Sequence, residues 1–259
     1  MADKKKPKAG PVPEEALKFF RSKGWKIGFS FLDVWREEHA FAFTVAKAMT
    51  MDILMDIRSA LDDALAEGLT FQDFKKELQP VLEEKGWWGK KQMTDPRTGE
   101  PVEAQLGSPR RLQVIFQTNM RTARAAGKWE RIERTKKLLP YLRYSLGPSV
   151  KHRPEHVAWQ GLELPADDAW WDTHMPPNGW NCKCWVQQLT KEQVDSTGGP
   201  DAAPEDEPVE WRNPRTGETS MVPKGITPGF DFNPGKSRTE KINDQSSAKE
   251  AAFKEGFGL

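Results

Sequence analysis

Four side chains in the second half of the chain, His156, His174, Cys182 and Cys184, carry imidazole nitrogens and thiolates, the donors of a tetrahedral zinc site. Their identity is a stronger signal than their spacing, because paired zinc cysteines more often have two residues between them than the single Lys183 found here. A second reading stays open, in which the cysteines are small buried thiols and His156 hydrogen-bonds Asp167 or a backbone carbonyl. His174 is the most replaceable member, with His152 or a carboxylate as substitutes. Four protein ligands would close the site and make it structural, with no position left for an activated water. Cys182 and Cys184 are the only cysteines, and a reducing compartment disfavours a disulfide between them.

Two apparent catalytic motifs fail on inspection. His152 and His156 are four residues apart, but Arg153 follows the first and Pro154 prevents one helix from carrying both, so they do not form a metalloprotease pair. The stretch GFDFNPGKS from Gly229 to Ser237 imitates a phosphate loop. It has five residues between its glycines instead of four, and a proline before the second.

A different chemistry lies upstream. Between Arg110 and Arg153 there are twelve Lys or Arg against two Glu, a local net of +10 that the whole-chain value of +1 conceals. Arg121, Arg124, Lys128 and Arg131 advance by three, four and three, which places them on one helix face. Such a stripe suits DNA phosphates or an acidic protein surface, and the plainer alternative is a solvated helix face.

The elements that must hold these groups can be read from pattern. Residues 1–13, with four lysines and three prolines, form a basic arm that cannot bury anything. From Glu14 to about Lys85 the pattern is helical, with Ile53, Leu54, Ile57, Leu61 and Leu65 on one face, Gly68 as a stop and a shorter helix after Phe71. DPRTG at 95–99 and NPRTG at 213–217 each predict a β-hairpin turn with a left-handed glycine. Ser108-Pro109 starts a helix running to about Leu138, and Tyr141–Leu146 and Cys184–Leu189 alternate like strands. Trp159, Trp170, Trp171, Trp180 and Trp185, separated by prolines, predict a small aromatic core with little regular structure. The expected fold is α+β: a helical N-terminal half, a small mixed α/β C-terminal domain with an irregular Trp/Pro-rich segment, and extended arms and hairpins. The boundaries drawn are 1–13, 14–107, 108–194, and a linker, hairpin and tail over 195–259. The chain lacks an apolar run of about 18 residues and its start lacks the apolar core of a signal peptide, which predicts a cytosolic product without a membrane partner.

The block from Arg153 to Leu189 resembles the phage Mu protein F family of head morphogenesis proteins. Its hallmark residues here are Arg153, Pro154, His156, Gly161, Asp167, Asp168, Trp171, Pro176, Pro177, Asn178, Trp180, Cys182 and Cys184, with Lys183 where the family usually has Arg. The similarity extends upstream through TNMRTARAAGKWERI and PYLRYSL, and downstream to PKGITPGFDFNPG. The resemblance implies a minor capsid protein of a Mu-like phage or prophage, added to the prohead near the portal. Its implied partners are portal and/or major capsid proteins and packaged double-stranded DNA, its implied place is the virion head after assembly in the host cytoplasm, and no catalytic residue is assigned. Two other readings are an ADP-ribosyltransferase-like enzyme, a fold near which the family has been placed, and a zinc-stabilised DNA-binding module outside any virion.

Overall fold

The computed structural model describes residues 14–239, so the basic arm over 1–13 and the end of the tail lie outside the described residues. Helix α1 (Glu14–Arg21) buries Ala16, Phe19 and Phe20. The chain from 22 to 50 is not helical, which corrects the expectation for that stretch. Asp33 accepts the backbone N–H groups of Phe29 and Ser30, and this local capping competes with continuing a helix. Two short 3₁₀ turns result, flanked by strands β1 (Gly24–Trp25) and β2 (Ala42–Phe43), which pair in parallel.

Helix α2 (Met51–Glu67) buries Ile53, Leu54, Ile57, Leu61 and Leu65 as their spacing requires, and ends at Gly68 with φ +70°. Helix α3 (Phe71–Glu84) starts from a Thr70/Asp73 capping box. Strands β3 (Lys90–Thr94) and β4 (Pro101–Gln105) form the first hairpin. Helix α4 (Pro109–Thr135) begins where Ser108 Oγ accepts the Arg111 N–H, and stops three residues short of Leu138. At about 1.5 Å per residue it is about 40 Å long, enough to serve two cores.

The second half packs around a three-stranded antiparallel sheet in the order β6-β5-β7, from β5 (Tyr141–Ser145), β6 (Glu163–Pro165) and β7 (Trp185–Leu189). Short helices α5 (Pro154–Ala158), α6 (Trp171–His174) and α7 (Lys191–Asp195) fill the connections. Strands β8 (Pro208–Arg212) and β9 (Thr219–Pro223) form the second hairpin. The two hairpin turns are built alike: Asp95 and Asn213 each accept the N–H two residues on through Oδ1. Arg215, from the second turn, bridges to Asp33 at 2.8 Å and to Asp95 of the first turn, so the twin turns are tied together.

Two hydrophobic clusters result. The first gathers α1, α2, α3 and the leading half of α4 through Leu112, Met120, Ala123 and Ala126. The second takes Trp129 and Ile132 from the same helix and adds Leu142, Tyr144, Trp159, Trp170, Trp171, Val186 and the tail residues Ile226 and Phe230. Trp185 departs from the expected aromatic core: its ring faces outward from edge strand β7 and is 46% exposed. No described helix is long and apolar enough to cross a membrane.

Candidate metal centre and basic face

The local backbone explains why cysteines one residue apart can act together. Where the chain enters β7, Cys182 is buried and Cys184 half-buried on either side of an exposed residue, the alternation that turns residues i and i+2 to the same side. Lys183 is thereby turned to the opposite side and exposed. The turn sits directly on Gly147, where a Cβ would lie 1.9 Å from the Lys183 carbonyl oxygen, so only glycine permits this approach. Buried Asn178 holds the preceding turn, donating to the His174 carbonyl at 2.8 Å and accepting from the Tyr144 hydroxyl at 3.0 Å.

His156 comes to the thiols from α5, whose first residue is Pro154, so His152 falls before the helix as expected. The His156 ring stacks on Trp159 with centroids 5.1 Å apart. Its Nε2–H donates to the Gly225 carbonyl at 3.0 Å, which leaves the Nδ1 lone pair facing Cys184 Sγ at 3.4 Å and Cys182 Sγ at 3.9 Å. A backbone carbonyl orienting a ligating imidazole is the common outer partner at metal sites. The three donor atoms lie within 4.8 Å of one another. Tetrahedral zinc, with bonds of about 2.3 Å to sulfur and 2.0 Å to nitrogen, requires an N to S separation of about 3.5 Å, and the group fits. A hydrogen bond from Cys182 holds the Cys184 thiol well below the usual thiol range. That same hydrogen bond, together with burial, pushes Cys182 up. One thiolate is therefore ready beside an imidazole.

His174 does not join this group, contrary to the four-ligand expectation. Its ring is stacked on Trp170 with centroids 4.1 Å apart, its Nε2 lies 3.3 Å from Asp206, and its Nδ1 lies 2.8 Å from the Thr173 hydroxyl and 3.2 Å from the Trp170 carbonyl. Both nitrogens are used, and burial lowers its pKa to about 4. The carboxylate beside it would favour the charged form, but the ring is 1% exposed and desolvation prevails, so it is neutral at neutral pH. His152 lines a cleft of about 540 Å³ together with His156 and both cysteines, and its Nε2–H donates to the Gly147 carbonyl at 2.8 Å. The three-donor group is therefore open on that side.

The basic stripe divides in two. Arg131 is neutralised by Glu15 at 2.8 Å, and Arg134 by the same carboxylate at 2.7 Å. Nothing in the local sequence shows this, because Glu15 lies 116 residues from Arg131. Arg121, Arg124 and Lys128 are different: among the described residues no carboxylate bridges any of them. Lys128 donates to the Val186 carbonyl and lies 5.2 Å over the Trp185 ring, and Arg121 donates to Gln117 at 3.2 Å. Lys183, passed over in the sequence as a variant of the motif, joins them at the same cleft. The alternation around Cys182 and Cys184 was the signal for its direction.

The model of the family described as Phage Mu protein F like protein matches residues 55–187, from within α2 to within β7. A protein of Escherichia phage Mu named for capsid assembly, protein F, is 41% identical over 186 residues, covering 72% of this chain and 42% of that relative. The Mu-like prophage FluMu F protein of Haemophilus influenzae is 40% identical over 172 residues, covering 66% of this chain and 40% of its own length. The chain belongs to the Phage Mu protein F like family. It spans about two fifths of the length of these relatives. No solved structure matches it.

Proposed function

We propose that the protein is a structural component of a Mu-like phage or prophage head, acting in prohead assembly near the portal and in handling packaged DNA, and not as an enzyme. The observation that carries this reading is the 41% identity, sustained over 186 residues, with the phage Mu protein named for capsid assembly. Both cores and the His156, Cys182, Cys184 group fall largely within the matched family region, so the shared part is the folded body. In this reading the group holds one zinc through three protein donors, with its fourth position on the cleft, and the metal pins α5, the Gly225 turn and the start of β7 to one another. The partners are the portal and/or major capsid proteins, met through the unneutralised cations of α4.

Mass spectrometry of purified DNA-filled particles beside empty proheads tests the assignment. The chain is expected in both, with cross-links to the portal. Its absence from both, or NAD consumption by the purified protein, would overturn the structural reading. Elemental analysis of protein purified without added metal is expected to give about one zinc per chain.

A further inference from the structure

Four cations that bridge to no carboxylate among the described residues surround one feature. A cleft of about 360 Å³ lies between α4 and the turn carrying Cys184, with Arg121, Arg124, Lys128 and Lys183 around it. Pro148 and the cis-bonded Pro176–Pro177 pair form part of its wall. Lys183 Nζ donates to the Pro148 carbonyl at 2.7 Å, which fixes its ammonium at the rim. Arg124 makes no hydrogen bond or ion pair among the described residues and is exposed. Arg121 and Lys128 are recessed, and burial lowers the pKa of both.

The contrast with the end of the same helix is informative. Over its last turns, Arg131, Arg134 and Lys136 each meet a glutamate. Arg121 and Lys128, part-buried with no counter-charge among the described residues, carry an unfavourable desolvation term that an incoming anion offsets. Beside it stands Trp185, half exposed and already under Lys128, and Trp with Arg is the composition of an interface anchor.

The shape selects between anions. Duplex phosphates are fixed on the outside of a rigid, wide cylinder and reach exposed cations such as Arg124 and Lys183. Arg121 and Lys128 lie inside a recess with stiff proline walls. Carboxylates on a thin, extended chain can enter it, and the rigid walls reduce the ordering cost of binding. We propose that this cleft is a docking site for an acidic, extended peptide segment of a partner protein, with its carboxylates between Arg121, Arg124, Lys128 and Lys183 and its apolar contact on Trp185. The proposal rests on the head-assembly reading only for the source of that segment, and its test uses the purified protein alone.

The probe is fluorescein-labelled hexaglutamate, titrated at low salt by fluorescence anisotropy. Saturable binding is expected, weakened at least tenfold by Arg124→Gln with Lys183→Gln, and not displaced by duplex DNA added at equal charge. Arg124→Glu alone provides a second variant without structural consequence, since that side chain holds nothing in place, and it too is expected to lower affinity. Unchanged affinity in both variants would overturn the proposal. So would displacement by the duplex, with duplex binding lost in the same variants, which would make nucleic acid the occupant. Failure of the assembly reading would appear instead as absence of the chain from particles, with peptide binding intact.

Discussion

The core around α2 is filled by Leu54, Ile57, Leu61 and Leu65 from one regular helix, with Phe74, Leu78 and Leu82 of α3 against them. The core under the β6-β5-β7 sheet holds Trp171, Tyr144 and Trp159 on short irregular elements, and buries His156, His174, Asn178 and Asn233 among them. The first needs only apolar side chains at helical spacing. The second places polar atoms in a low-dielectric interior, where each must find a partner or a ligand. Helix α4 crosses both, so the two are mechanically joined but differ in what they depend on. The three-donor group of His156, Cys182 and Cys184 is where a ligand can act on the second core.

The largest way to separate the two cores is to remove the donors. Cys182→Ser with Cys184→Ser is expected to take bound zinc from about one per chain to none. A strong chelator should do the same to the unmodified protein. In both cases the tryptophan emission should report loosening of the second core while far-UV circular dichroism of α2 and α3 persists. Identical thermal unfolding with and without chelator would mean that the second core stands without metal.

Leu61→Ala is the converse break. Leu61 is fully buried in the first core, and truncation there should cost about 3 kcal/mol. Urea unfolding should register this loss with the zinc content unchanged. A protein that loses zinc on this substitution would show that the cores fold as one unit.

Acid should act on the second core through His174. Its folded pKa of about 4 lies below an unfolded value of about 6.5. A depressed histidine contributes stability that is fully present above the unfolded pKa and is lost as pH falls toward the folded one. Between pH 7 and pH 5 the loss is about 2 kcal/mol. His174→Gln should flatten that part of the pH profile of urea unfolding. His39, lowered to about 3 by burial, keeps a similar slope in the rest of the molecule.

The smallest effect sharpens how the hairpins belong to the cores. Arg215→Ala removes the bridge from Asp33 to Asp95 and should lower the melting temperature by about 3 °C. Zinc content and peptide binding should not change, because the bridge lies away from both clefts.

What the residues reveal by themselves follows from local physics. A helix repeats every 3.6 residues, so the apolar face of α2 and its stop at Gly68 were visible in order along the chain. The start of α4 at Ser108-Pro109, both DPRTG and NPRTG turns, and the strands at β5 and β7 were legible for the same reason: each depends on neighbours within a few positions. Strand β6 was not, because three residues carry no periodicity and its place is set by pairing with β5. The region 22–50 was read as helical because its capping by Asp33 is a contest between two local structures that pattern alone does not decide.

For the candidate site, residue chemistry singled out His156, Cys182 and Cys184, and the fold brings these three donors together. The fold alone turned His174 away, because its ring is packed on Trp170 and both nitrogens are taken by Thr173 and Asp206. Likewise the charge run in α4 was visible as sequence, but which of its cations stay unneutralised was set by Glu15, brought from the other end of the folded body. Coulomb interactions depend on distance in space and not along the chain, so the division of the basic stripe into a neutralised end and an open cleft belongs to the tertiary structure.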